Sequence, residues 1–148
     1  MQAIHGLVAG DAPAIDLAGE KRLQGTLLEA IRAGLVRSAH DCSDGGLAVA
    51  LAECCLGANG VRIGATIRPE PSGLRPDFYL FGEDQSRVVV SAAPDKAESL
   101  IALCAKNDIP ARMIGTVGGE RLVVGDLIDV GCGELGEAYY TSIENLMA

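Results

Sequence analysis

The chain has no tryptophan and only five other aromatic residues, three Tyr and two Phe. Its core must therefore be built from Leu, Val, Ile and Ala. The composition is 49% apolar, which supplies enough of them to argue against disorder. Basic side chains are also scarce: 12 Lys and Arg stand against 20 Asp and Glu, a net charge of −8. An acidic surface repels phosphate backbones and anionic lipid, so neither nucleic acid nor membrane is an expected partner. An anionic ligand would have to be met locally, by a helix N-terminus, a few Arg residues or a bound cation. Histidine occurs twice. The five cysteines, Cys42, Cys54, Cys55, Cys104 and Cys132, form no C-x-x-C pair. That argues against structural zinc and for free thiols in a reducing compartment. No apolar run approaches the ~20 residues of a membrane span. The start of the chain lacks the basic-then-apolar layout of a signal peptide. The expected location is the cytoplasm.

At 148 residues the chain fits one compact domain. Residues 1–15 are rich in Gly and Ala, contain Pro13, and read as a lead-in to a domain over 16–148. Asp16 suits a helix cap. Leu23, Leu27, Ile31 and Leu35 recur every four residues as a helix stripe ending near Gly34. Val36 to Ala39 reads as a short strand, and a second helix carries Leu47, Leu51 and Cys54/Cys55 on its buried face. Val61 to Ile67 alternates like a half-buried strand. Phe78 to Phe81 and Arg87 to Ala92 are strand candidates on either side of Gly82-Glu83-Asp84-Gln85-Ser86. Pro94-Asp95 opens a helix with Ala97, Leu100/Ile101 and Cys104 on its stripe. Arg112 to Val117 and Arg121 to Val124 read as a hairpin about Gly118-Gly119, and Gly133 to Met147 as a terminal helix. The order predicts an α+β domain, with helices packed over a mixed, largely antiparallel sheet.

The segment His40-Asp41-Cys42-Ser43-Asp44-Gly45-Gly46 lies where a strand should hand over to a helix. Helix N-termini carry unpaired N–H groups and the positive end of the dipole. Paired glycines let a phosphate approach the backbone with no Cβ in the way. Asp41 and Asp44 would repel a bare phosphate but suit one that arrives with Mg²⁺. A plainer reading of the same residues stays open. Ser43 or Asp44 caps the helix, the glycines fit a tight bend, and His40 is a hydrogen-bonded loop residue.

The run Ser38 to Glu53, Ser-Ala-His-Asp-Cys-Ser-Asp-Gly-Gly-Leu-Ala-Val-Ala-Leu-Ala-Glu, is similar to a signature of the phosphoribosylformylglycinamidine synthase family. In that family it belongs to the C-terminal domain, which resembles aminoimidazole ribonucleotide (AIR) synthetase. Leu80 to Val90 resembles the family's acidic Glu-Ser-x-Ser/Glu-Arg element before a strand, with Asp84 where the family often has Ser. The segment Ile114-Gly115-Thr116-Val117 and the terminal helix also resemble the end of the family's chain. The likeness covers most of residues 11–148.

The resemblance implies a part in converting formylglycinamide ribonucleotide, ATP and ammonia into the amidine. ATP activates the amide oxygen and ammonia displaces the phosphate. It implies Mg²⁺ with ATP in the complete enzyme. The implied partners are an N-terminal AIR-synthetase-like domain and a glutaminase domain or subunit, with a homodimer possible. Alone, the chain is expected to be inactive and to belong with a longer protein. For site residues it implies His40, Asp41, Ser43, Asp44, Gly45, Gly46, Glu83, Gln85 and Arg87 for substrate or nucleotide, with Asp41 and Asp44 for metal. Arg87 is the strongest phosphate candidate, because its planar fork suits bidentate binding. A salt-bridged strand edge is the competing reading of Glu83, Gln85 and Arg87.

Two other functions stay in play: a non-catalytic docking or dimerisation module, and a related kinase-like enzyme forming thiamine diphosphate or selenophosphate. Gly131-Cys132-Gly133-Glu134-Leu135-Gly136 fits G-x-G-x-x-G. A dinucleotide fold needs a further strand beyond the helix, and only 12 residues follow Gly136. The motif is therefore read as a helix entry.

Overall fold

A computed structural model describes residues 14–57, 60–69 and 73–147. The lead-in up to residue 13, Pro13 included, lies outside the described residues. The first helix, α1 (Leu17–Arg32), starts as expected: Asp16 is extended and its carboxylate accepts from the Ala18 N–H at 3.0 Å. Gly34 follows the helix end at φ +66°. The stripe itself is displaced. Leu23 and Leu27 are half-buried and Ile31 is exposed, while Thr26 and Ala30 form the buried line. A four-residue repeat outruns the 3.6-residue turn, so later members rotate off the packed face.

After α1 come β1 (Ser38–Asp41), α2 (Gly46–Cys54), β2 (Ala65–Ile67), α3 (Pro76–Phe81) and β3 (Val88–Ser91). A 3₁₀ turn at Pro94–Lys96 leads into α4 (Ala97–Lys106), followed by β4 (Gly115–Val117), β5 (Arg121–Val124), β6 (Ile128–Gly131) and α5 (Cys132–Met147). The fold is α+β, with four of its strands in a mixed sheet ordered β4-β2-β5-β6. In that sheet β2 pairs antiparallel to β4 and parallel to β5, and β5 pairs antiparallel to β6. β1 and β3 form a separate antiparallel pair, with His40 opposite Val89 and Asp41 opposite Val88. The main core lies between α2, α3 and the larger sheet. Leu122 and Val124 of β5, Ala65 and Ile67 of β2, and Leu47, Ala50, Leu51 and Cys55 are all buried there.

Three expectations are corrected. Phe78 to Phe81 is helical rather than a strand. Its aromatics favour strand, but Pro76 sits in the first turn with Asp77 beside it, a helix start, and Tyr79 and Leu80 point together into the core. The hairpin about Gly118-Gly119 does not form, because β2 lies between β4 and β5. The glycines instead wrap the start of β2. Gly64 donates to the Gly119 carbonyl at 2.8 Å, and Gly118 donates to the Gly64 carbonyl at 2.7 Å. The strand at Val61 to Ile67 shrinks to three residues, leaving Val61 and Ile63 exposed. The G-x-G-x-x-G segment is where β6 enters α5. Arg62 donates to the Gly133 carbonyl at 3.3 Å and covers Gly136, where a Cβ would lie 2.7 Å from the guanidinium carbon. These glycines make room for an arginine rather than for a nucleotide.

Candidate functional site

Asp41 ends β1 and Gly46 begins α2, so the segment expected to be a loop is a four-residue bend between them. Its turn is closed by the Gly46 N–H donating to the Ser43 carbonyl at 2.9 Å. Gly45 and Gly46 both take positive φ, +79° and +64°. The reason they must be glycine is packing. A Cβ on Gly46 would stand 2.6 Å from the Gly82 carbonyl oxygen, and one on Gly45 would stand 2.2 Å from Val49 Cγ2. The bend is pressed against the backbone where α3 ends. That holds the 82–87 loop beside it, and the Cys42 N–H adds a bond to the Arg87 carbonyl at 2.9 Å.

Neither Ser43 nor Asp44 caps α2. The cap is supplied across the fold: Glu83 accepts the Gly45 N–H at 2.9 Å. The carboxylate stands where a bound anion would stand. Ser43 donates its hydroxyl to Asp41, and this bond is the main reason the Asp41 carboxyl is held below its ordinary 3.8. His40 does not turn toward the bend. Its Nδ1 lies 2.7 Å from the Asp41 carbonyl and its Nε2 3.1 Å from Glu53 of α2, so strand and helix hold the ring. Arg87 is half-buried and donates from Nη1 to the Gly82 carbonyl at 3.1 Å.

The two loops line one open cleft of about 430 Å³, and Asp41, Ser43, Asp44, Glu83, Gln85 and Arg87 all reach it. His40, Gly45 and Gly46 do not. Two acidic side chains outside the expected site residues also line it, Asp84 and Glu20. Glu20 sits in the first turn of α1 and accepts from Ser86. That bond, with one from Gln24, lowers its carboxyl below the ordinary 4.5. Nothing in the sequence links position 20 to position 86. The wall thus carries five carboxylates against one guanidinium. Such a wall disfavours a bare phosphate and favours a cation, or a phosphate that brings one. Among the described residues no three His, Cys, Asp or Glu side chains converge to hold a metal ion. The donor set does not fit a metal cage made by this chain alone. It does fit Mg²⁺ that keeps its waters and arrives on phosphate oxygens, with one or two carboxylates completing the shell.

Residues 2–127 match the family of AIR synthase related proteins, C-terminal domain. The chain belongs to that family. This assignment accounts for the α+β fold, and it carries the resemblance of Ser38 to Glu53 across most of the sequence. Similar proteins include phosphoribosylformylglycinamidine synthase subunit PurL from Anaeromyxobacter sp. (strain Fw109-5), 46% identical over 94% of this chain and 19% of that relative. Among solved structures, T. maritima PurL complexed with FGAR superposes with a TM-score of 0.72 at 25% identity. It covers 90% of this chain and 24% of that one. T. maritima PurL complexed with ATP superposes at 0.65 with 26% identity, over 78% of this chain and 21% of that one. The AIR-synthase-like chain therefore spans about a fifth of the length of the curated relatives it matches. Among the described residues no helix is long and apolar enough to cross a membrane.

Proposed function

We propose that this chain is the C-terminal, AIR-synthase-like domain of a phosphoribosylformylglycinamidine synthase. It lends one wall of a substrate or nucleotide site to the ATP-dependent amidation of formylglycinamide ribonucleotide in purine synthesis. The observation that carries this reading is 46% identity to a PurL subunit over 94% of the chain. That extent favours the amidating enzyme over the kinase-like relatives that form thiamine diphosphate or selenophosphate. The chain spans a fifth of such a subunit, so the reading requires partners: an N-terminal AIR-synthetase-like domain and a glutaminase domain or subunit. We place the domain at 16–148 with 1–15 as lead-in, a boundary supported by the Asp16 cap, although the family match starts at residue 2. A cytoplasmic location suits a chain with five free thiols.

The roles proposed for the residues follow the geometry. Asp41 and Asp44 are exposed on the cleft and would hold Mg²⁺ carried by ATP, and that ion offsets charge on a transferring phosphoryl group. Ser43 keeps Asp41 ionised and oriented. Arg87 is the cation of the cleft, fixed by Gly82. Gln85 offers neutral hydrogen bonds at the rim. Glu83 holds the Gly45 amide, so a phosphate reaches that amide only by displacing a carboxylate. His40, Gly45 and Gly46 act through shape rather than contact.

The test is reconstitution. A synthase lacking this domain should regain glutamine- or ammonia-dependent amidation when the chain is supplied, and lose most of the gain with Asp44→Ala. No gain from the chain in a mixture that forms the complex would defeat the proposal. Gly46→Val is not a clean probe, because its Cβ would strike the Gly82 carbonyl. A second reading, a docking or dimerisation module, draws support from α5, whose Tyr139, Tyr140, Ile143 and Leu146 are each more than half exposed. It predicts a stable complex, or a dimer of this chain, with chemistry unchanged.

A further inference from the structure

The last helix outruns the body that it packs on. Its root is fixed. The Cys132 N–H donates to the Glu120 carbonyl at 2.9 Å, Arg62 donates to the Gly133 carbonyl at 3.3 Å, and Cys132 and Gly136 are buried. From Glu137 to Met147 every residue except the half-buried Thr141 is exposed. The apolar residues of that stretch nevertheless keep to one face. At about 100° per residue, Tyr139, Tyr140, Ile143, Leu146 and Met147 fall within an arc of about 120°. Cys132 and Gly136 fall inside the same arc, so the face that α5 buries at its root runs on for about three more turns. On those turns its five apolar side chains are 51% to 87% exposed. A helix segment this short is marginal in water without tertiary contacts, so a face of this kind calls for a cover.

We infer that this stripe is the seat for another part of the same longer polypeptide, an inference that rests on the chain being one domain of a synthase subunit. The match to the domain family stops at residue 127, before β6 and α5. The PurL subunit of Moorella thermoacetica, by contrast, matches 100% of this chain at 44% identity and covers 20% of its own length. α5 is therefore part of what the chain shares with subunits about five times its size. A second copy of the chain is the weaker occupant, for two reasons. The stripe from Tyr139 to Met147 is about 13 Å of helix, and one face of it falls well short of the roughly 800 Å² that each partner of a specific dimer buries. Glu137 and Glu144 border the stripe, one turn to either side of Tyr140, and α5 has no Lys or Arg to meet them, so two copies would set like charges together. Within one polypeptide a small contact suffices, because the covalent link supplies the effective concentration. The cover has a defined chemistry: an apolar groove wide enough for the edge-to-face pair of Tyr139 and Tyr140, with basic side chains along the edge that faces Glu137 and Glu144.

The test is amide hydrogen exchange, read by mass spectrometry on the 148-residue chain and on the full-length subunit that contains it. In the chain alone, the amides of 138–147 should exchange almost as fast as in an unfolded peptide. In the subunit they should slow by about a hundredfold or more, as buried helices do. Ile143→Glu combined with Leu146→Glu should return that segment of the subunit to the fast exchange of the chain, while β5 keeps its protection. Should the double variant also cost β5 its protection, Leu146→Ser takes its place, and a selective gain in exchange at 138–147 remains the expected result. Equal exchange of the segment in chain and subunit would overturn the inference. So would slow exchange in the chain that speeds up on dilution, with a dimer in sedimentation, because a second copy would then be the cover. The readout does not depend on turnover. Protection in a subunit that fails to amidate would uphold this contact and defeat the proposed function, and fast exchange in an amidating subunit would do the reverse.

Discussion

The chain makes two bends with adjacent glycines, and they need glycine for different reasons. At the head of α2, Gly45 and Gly46 combine positive φ with the absence of space: a Cβ at Gly46 meets the Gly82 carbonyl oxygen at 2.6 Å. Between β4 and β5, Gly118 and Gly119 have φ of +152° and +76°, and a Cβ on either would meet nothing within 4 Å. The first bend is a packing contact between two segments of backbone. The second is only a conformational requirement, met while the loop wraps the start of β2. A pair of glycines in sequence looks the same in both settings, so the motif alone says nothing about whether a ligand, another backbone or open solvent faces it.

The sharpest way to break this comparison is to add one methyl group at each bend. Gly46→Ala must displace the Gly82 carbonyl as well as tolerate a left-handed residue. It should cost about 3 kcal/mol or more, in the range reserved for core clashes and strained backbone. Gly119→Ala bears only the conformational part and should cost about 1 kcal/mol. Urea denaturation of the two variants measures both. Equal losses would mean that the close approach at Gly46 relaxes freely and that the two bends do not differ.

The contrast also shows which features the sequence could reveal. Helix α1 with its Asp16 cap, the α2 face of Leu47 and Leu51, and the strand before α4 were legible because each is fixed by neighbours within a turn or two. The insertion of β2 between β4 and β5 was not. Gly118-Gly119 is a good local hairpin signal, and only the buried side chains of Ala65 and Ile67, some fifty residues earlier, override it. Phe78 to Phe81 misled for a related reason, since aromatic strand propensity gave way to the helix start at Pro76. In the site, Asp41, Asp44, Glu83, Gln85 and Arg87 could be named because they lie within the quoted motifs. Their convergence could not be derived, because the bond from Gly45 to Glu83 spans 38 positions. Glu20 gave no signal at all, because its partner Ser86 lies 66 positions away.

Removing the cap sharpens the comparison further, since of the two bends the one at α2 borrows a side-chain carboxylate as acceptor, whereas Gly118 donates to a backbone carbonyl. Glu83→Ala should lower stability by about 1 kcal/mol, a typical cost for a lost N-terminal cap, and Glu83→Gln, which keeps an acceptor oxygen, by less. Thermal unfolding of the pair decides this. Identical melting of Glu83→Ala and the unaltered chain would show that the Gly45 amide is satisfied as well by water.

The smallest effect concerns charge rather than packing. The Asp41 carboxyl is held below 3.8, chiefly by the Ser43 hydroxyl, with its own backbone N–H and His40 adding to the effect. A carboxylate depressed in the folded state contributes stability that is present above the unfolded value near 3.8. That stability is lost as pH falls through the lower folded value. Ser43→Ala should therefore raise the Asp41 titration midpoint toward 3.8 and leave stability near pH 7 almost unchanged, because the carboxylate is fully exposed. The small separation between variant and unaltered chain should be present at neutral pH and close as pH falls below about 4. Carbon-detected NMR titration of the Asp41 side chain reads the midpoint directly. No upward movement would mean that the backbone, not Ser43, orients this carboxylate at the mouth of the acidic cleft.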